Sequence, residues 1–171
     1  MNKFLLASLG VLAACMVSFN VSAQTVVGHA EEEKKKNALC TGCHGITGYH
    51  TSFPEVHKVP KIAGQGAGYI AAALHAYKAG ERKHPSMRTT ASSLTDQDIA
   101  DLSAYYSALA SSAALPEAAA AGSAQAVELV TRGGCASCHG ANFSKPIMPE
   151  YPKIAGQYSD YLYVALRSYK N

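Results

Sequence analysis

The stretch Cys40-Thr41-Gly42-Cys43-His44 is the most informative motif of this chain. Its pattern recurs 95 residues later as Cys135-Ala136-Ser137-Cys138-His139. Two thiols three positions apart lie on the same face of a helical turn, so each can form a thioether with one vinyl group of a haem. The histidine directly after the second thiol can supply a nitrogen ligand to the iron. The C-x-x-C-H pattern therefore indicates covalent haem attachment at two places.

Two other kinds of site also use paired cysteines. A thioredoxin-like dithiol contains one C-x-x-C pair, and two such pairs can bind zinc. Neither needs a histidine directly after the second cysteine in both copies, and zinc-binding pairs usually lie about 15–20 residues apart. We therefore predict two covalently bound haem c groups. The predicted attachment and iron-ligand residues are Cys40, Cys43 and His44 in the first copy and Cys135, Cys138 and His139 in the second.

Length and charge narrow the possible functions. The 171 residues suit one medium domain or two small ones, and a large apolar cofactor would supply core that small domains otherwise lack. The 15 Lys and Arg residues against 12 Asp and Glu give a net charge of only +3. The sequence has no separate cluster of lysines and arginines, so its charge does not support nucleic-acid binding.

The N-terminus has the pattern of an export signal over residues 1–23. Lys3 is followed by an apolar run, and small residues end at Ala23. The run is too short for a convincing transmembrane anchor. Cys15 follows Leu12-Ala13-Ala14 as in a bacterial lipobox, so lipidation of Cys15 and membrane association stay open as an alternative to cleavage after Ala23. With either alternative, we expect the two haem-binding domains to lie outside the cytoplasm, in the periplasm.

An internal duplication sets the domain organisation. The segment Pro60-Lys61-Ile62-Ala63-Gly64-Gln65 recurs as Pro152-Lys153-Ile154-Ala155-Gly156-Gln157, at an offset of 92 residues. The predicted units are a first domain at 24–112, an alanine-rich linker at 113–123 and a second, partial domain at 124–171.

Apolar periodicity and capping residues predict the helices of both units. We expect short helices over 30–39 and 124–133 before the two haem motifs, with an irregular loop at 45–60. A helix should open with Pro60–Gln65 and run to about Ala79, where Gly80 ends it. Another should begin at Thr95, with Asp98 in a capping box, and end near Leu109.

Met87 is the candidate sixth iron ligand of the first haem. No other methionine lies in residues 24–115, and we expect Met87 in a flexible, proline-containing loop that folds over the haem. A thioether opposite histidine suits electron transfer. The equivalent position in the second copy would be 179, beyond Asn171, so we expect a truncated second domain; Met148 is a weak substitute.

The two C-x-x-C-H sites, the P-K-I-A-G-Q repeats and the segment 87–102 resemble the di-haem cytochrome c4 family. The resemblance implies an all-α fold of two tandem class I cytochrome c domains, with the second incomplete at its C-terminus. It implies that Met87 is an axial ligand and that the carbonyl groups of Pro60 and Pro152 accept hydrogen bonds from the proximal histidines.

The resemblance also implies a function. It implies a periplasmic carrier, not an enzyme, that moves single electrons between respiratory partners, from a cytochrome bc-type donor toward a haem-copper oxidase. One alternative is the cytochrome subunit of a periplasmic dehydrogenase. Another is a ligand-binding or peroxidase-like haem protein, if the second haem is open.

Overall fold

The computed structural model describes residues 26–31, 36–109 and 122–170, which we call the first half (26–109) and the second half (122–170). The fold is helical apart from one pair of two-residue antiparallel strands. The elements in chain order are α1 (Ala38–His44), β1 (His50–Thr51), β2 (His57–Lys58), α2 (Ala67–Ala79), α3 (Pro85–Ser92), α4 (Asp96–Ala108), α5 (Ala124–Arg132), α6 (Ala136–His139) and α7 (Ser159–Ser168).

The predictions for residues 1–23, for Cys15 and for most of the linker lie outside the described residues. The boundaries between the two predicted domains therefore stay predictions. Among the described residues, no helix is long and apolar enough to cross a membrane.

The core of the first half lies where α3 and α4 pack against α2. Ile99 and Leu102 on α4 are almost fully buried, and Ile70 and Leu74 on α2 face them. These residues recur at helical spacing, so each helix presents one apolar stripe to its neighbours. This packing closes one side of the first haem motif, because Cys40 contacts the same cluster.

The predicted ends of two helices are confirmed. Gly80 terminates α2 with a φ of 80°, a left-handed conformation that glycine adopts without a Cβ penalty. Thr95 and Asp98 form the predicted capping box at the start of α4. The Asp98 N–H donates to the Thr95 hydroxyl at 3.1 Å, and the Thr95 N–H donates to the Asp98 carboxylate at 2.9 Å.

The prediction of a helix over 30–39 is wrong for its described part. Residues 30–31 and 36–37 form turns, and the helix begins only at Ala38. Asn37 is held in place by α4, since its side chain donates to Tyr105 at 3.1 Å and accepts from Tyr106. These tertiary bonds hold Asn37 directly before the helix, so that α1 begins at Ala38. Local helix propensity alone did not indicate this start.

Two further expectations need correction. Pro60–Gln65 is not helical, and α2 begins only at Ala67, because the backbone of this segment bonds to other parts of the chain. Met87 lies on α3 and not in a flexible loop. Pro85 at the first helical position has the φ that a helix requires, and the His84 side chain accepts from the Met87 N–H at 3.4 Å.

The second half repeats the motifs of the first but buries them less. Leu74 on α2 is 8% exposed, whereas its repeat equivalent Leu166 on α7 is 67% exposed. In the first half α3 and α4 cover α2, and within 122–170 no described element covers α7 in the same way. The same local sequence therefore has two different environments.

Candidate haem site

The first site is built on α1, which carries Cys40, Cys43 and His44 in two adjacent turns. The Nδ1 atom of His44 lies 2.8 Å from the carbonyl oxygen of Pro60. Burial lowers the pKa of His44, against the opposing effect of this hydrogen bond, and nearby His84 lowers it further. The ring is thus neutral with its hydrogen on Nδ1, which leaves the Nε2 lone pair available to a metal.

The second site repeats this geometry. Cys135 precedes the short helix α6, and Cys138 and His139 lie on it. The Nδ1 atom of His139 lies 2.8 Å from the carbonyl oxygen of Pro152. The two histidines are therefore oriented in the same way, each by the proline that begins a P-K-I-A-G-Q segment.

One cavity of about 700 Å³ connects the two sites. Its walls are largely apolar and include leucine, isoleucine and tyrosine side chains from both halves. The residues of predicted function on its walls are Cys40, Cys43, His44, Pro60 and Met87 from the first half and Cys135, His139 and Pro152 from the second. Cys138 is not among the lining residues.

The cavity fits a large, mostly apolar cofactor. Interiors of folded proteins are close-packed, and few voids exceed a water molecule, so a cavity of this size has room for a large ligand. Thiols and a neutral imidazole on an apolar wall are the donor set that haem c uses. Among the described residues, no three His, Cys, Asp or Glu side chains converge as they would around a bare metal ion.

The two methionine candidates differ in position. Met87 lines the cavity and packs against the core of the first half. Met148 is 48% exposed and is absent from the cavity wall. The structure therefore brings Met87 to the first site and leaves Met148 outside both.

A reciprocal set of hydrogen bonds joins the two halves beside the cavity. Gln65 donates to the Lys153 carbonyl at 2.8 Å and accepts from the Lys153 N–H at 2.9 Å. Gln157 makes the equivalent pair of bonds with Lys61, each at 3.0 Å. We call these four bonds the glutamine clasp. The glutamine of each repeat thus binds the backbone of the lysine in the other repeat.

Side chains around the clasp extend the contact. The Lys61 ammonium donates to Gly156 at 2.9 Å, and the Lys153 ammonium donates to Gly64 at 2.8 Å. Asp160 accepts from the Lys58 N–H at 3.0 Å, and this bond together with the Lys58 charge lowers the pKa of its carboxyl group. These bonds hold the walls of the cavity at a defined separation.

The comparisons with known proteins agree with this geometry. The family model for cytochrome c matches residues 34–110. Cytochrome c4 from Stutzerimonas stutzeri is 30% identical to the chain, over 88% of this chain and 77% of that protein. The chain belongs to the cytochrome c4 family. It is therefore an electron-transfer protein with covalently bound haem c, and its fold is that of tandem class I cytochrome c domains.

The structural comparison supports the same assignment. The crystal structure of reduced recombinant cytochrome c4 from Pseudomonas stutzeri superposes with a TM-score of 0.64 at 31% identity, over 84% of this chain and 81% of that one. A protein described as a thiosulfate dehydrogenase electron acceptor, from Stutzerimonas stutzeri strain A1501, is 28% identical over 77% of this chain and 62% of that protein.

Sequence reasoning missed the residues that join the halves of this cytochrome. Roles were assigned to the prolines of the P-K-I-A-G-Q repeats, but none to their lysines and glutamines. The repetition itself was the available signal, because polar residues kept at equal positions in two copies can bind each other about a local two-fold axis. Arg82, which also lines the cavity, had no signal in the sequence.

Proposed function

We propose that this cytochrome carries two haem c groups, moves single electrons between protein partners and is not an enzyme. The observation that supports this most directly is the repeated geometry of the two motifs. Each has two thiols and a histidine whose Nδ1 lies 2.8 Å from a proline carbonyl, and both motifs line one cavity. When bound, haem supplies an iron that gains or loses one electron.

The residues of the chain would hold and tune that iron. Cys40 and Cys43 would anchor the first haem, and His44 would bind its iron through Nε2 with Met87 as the sixth ligand. Cys135 and Cys138 would anchor the second haem, and His139 would bind its iron. The proline carbonyls fix the imidazole rings and increase their basicity, and the apolar walls exclude water.

A rigid frame suits this role. Electron transfer is fastest when little rearranges, and the glutamine clasp ties the two motifs to each other through four backbone-directed bonds. Gln65, at 6% exposure, is sheltered from competing water. The walls of the cavity therefore stay in place when the charge of an iron changes.

We further propose that the protein works in the periplasm between a cytochrome bc-type donor and a haem-copper oxidase. The export pattern of residues 1–23 supports this location. The near-neutral net charge of +3 favours brief, weakly steered encounters over permanent complexes.

Counting haem groups tests the proposal. Protein purified after co-expression with the haem-attachment machinery should show two haems per chain by absorbance and by intact mass. The double variant Cys135→Ser with Cys138→Ser should retain one. Ser137→Ala, which alters an exposed residue between the two cysteines, is the matched control and should retain two. One haem per chain in the unaltered protein would contradict the proposal.

A dehydrogenase partner is the second candidate, and the relative described as a thiosulfate dehydrogenase electron acceptor supports it. The two candidates differ in the donor that reduces the iron. Stopped-flow mixing with a purified thiosulfate dehydrogenase and, separately, with a bc-type complex would distinguish them. Reduction at least tenfold faster by the dehydrogenase would favour this second candidate.

Carbon monoxide tests the remaining alternative of a ligand-binding or peroxidase-like protein. If the second iron has an open position, reduced protein should bind carbon monoxide at half of its haem. A carrier with both irons closed should bind almost none on the same timescale.

A further inference from the structure

The helix that carries Met87 begins after a histidine. His84 precedes α3 in an extended conformation, with a φ of −157° and a ψ of 113°, and Pro85 takes the first helical position. The Nδ1 atom of His84 accepts a hydrogen bond from the Met87 N–H at 3.4 Å. His84 is therefore the N-cap residue of α3, and the N–H that it caps belongs to the candidate iron ligand.

The first turn of α3 depends on this residue. The first N–H groups of a helix have no carbonyl of the same helix to bind, and Pro85 has no N–H at all. The first backbone bond runs from the Arg88 N–H to the His84 carbonyl, at 2.9 Å. The ring and the carbonyl of His84 thus both hold the turn that contains Met87.

The remainder of α3 is held by packing. Ala91 lies one turn after Met87 on the same helical face, and it is completely buried in the core. Met87 packs against the same core and also lines the cavity. Without the cap, α3 would stay anchored at Ala91, but the end that carries Met87 would fray.

A second contact holds the ring of His84. The ring of His57 on β2 meets it edge to face, with the ring centroids 6.2 Å apart. His57 is 4% exposed, and its Nδ1 atom lies 3.0 Å from the carbonyl oxygen of Glu55. Asn, Asp and Ser are the usual N-cap residues, so the contact with β2 is a feature that capping alone does not require.

We propose that His84 is a positioning residue for the first iron site, because its side chain caps α3 and so holds Met87 where the sulfur can bind the iron. This inference rests on the proposed function, since it requires Met87 to be the sixth ligand. A thioether is a soft ligand that binds ferric iron weakly. A small loss of order in the turn therefore lowers the fraction of ferric iron that has methionine bound.

A merely structural cap makes a different prediction. Loss of an N-cap lowers the free energy of unfolding whichever helix carries it, so a melting temperature would fall in either case. The bond between a methionine sulfur and ferric iron has its own weak absorption band at long wavelength, and this band reports ligation. Imidazole competes for ferric iron, so the concentration that removes the band measures how firmly Met87 is held.

The experiment follows this band in the oxidised, haem-loaded full chain while imidazole is added at one neutral pH. Met87→Ala should abolish the band and so assign it. In His84→Ala, the imidazole concentration that removes half of the band should fall about fivefold, the size expected for a lost N-cap. His84→Asn restores a good N-cap and should stay within about twofold of the unaltered protein. Thr95→Ala, which removes the N-cap of α4, is the matched control and should also stay within about twofold.

An unchanged midpoint in His84→Ala, or an equal fall in Thr95→Ala or His84→Asn, would overturn the inference and leave the proposed function intact. If His84→Ala yields no haem-loaded protein, amide hydrogen exchange in the reduced, unaltered protein decides. The Met87 amide should exchange at least about tenfold more slowly than the Ser86 amide, which has no partner among the described residues, and equal rates would overturn the inference. A band that is absent from the unaltered protein, or that persists in Met87→Ala, would refute Met87 as the sixth ligand of the proposed function, and the inference with it.

Discussion

Replacing Gln65 with alanine tests whether the glutamine clasp joins the two halves. The change removes two hydrogen bonds to Lys153, each with a net value of about 0.5–1.5 kcal/mol. It also leaves the backbone N–H and C=O of Lys153 without the partners that they have in Gln65, a side chain that is 6% exposed. We expect the free energy of unfolding to fall by about 2–3 kcal/mol.

Two further variants provide a comparison for the loss of unfolding free energy in Gln65→Ala: one at the equivalent residue Gln157 and one at the surface residue Gln97. Gln157 makes the same two bonds with Lys61 but is more accessible, so water replaces them in part and Gln157→Ala should cost about 1–2 kcal/mol. Gln97 also makes two side-chain bonds, to Val27 and Asp101, but on an exposed surface. Gln97→Ala should cost less than about 1 kcal/mol.

Urea unfolding of the haem-loaded chain, followed by far-ultraviolet circular dichroism, measures these differences at a common denaturant slope. The double variant of Gln65 and Gln157 should lose less than the sum of the two single losses, because opening one side of the interface already weakens the other. A loss below about 0.5 kcal/mol for Gln65→Ala, or an equal loss for Gln97→Ala, would refute the reasoning.

Two other pairs of variants probe packing by the same unfolding measurement. Leu74→Ala should cost about 2–5 kcal/mol, because the side chain is 8% exposed, whereas Leu166→Ala at 67% exposure should cost less than about 1 kcal/mol; equal losses would contradict this. An added Cβ at Gly68 would lie 2.8 Å from the carbonyl oxygen of Pro149, so Gly68→Ala should cost about 1–3 kcal/mol. Gly42→Ala has open space and should be neutral or slightly stabilising; a similar loss at both glycines would show that the contact with Pro149 is not the cause.

Short-range patterns in the sequence predicted much of the site. The C-x-x-C-H motifs, the capping box of Thr95 and Asp98, and the glycine end of α2 each involve groups within a few residues of one another. Such features depend on local geometry, which the spacing of residue types encodes directly. Two of the predictions that failed depend on distant contacts: α4 holds Asn37 at the start of α1, and the second half binds the backbone of Pro60–Gln65. The loop predicted around Met87 was wrong for a local reason, because His84 and Pro85 begin a helix there.

The same distinction separates what the sequence by itself determined from what only the tertiary structure decided. Residue spacing predicted haem attachment at the two C-x-x-C-H motifs and showed the internal duplication. Only the folded chain decided that Leu74 is buried and its equivalent Leu166 exposed, and that Gln65 and Lys153 bind each other. Each of these depends on residues that are far apart in sequence, which no local pattern can bring together.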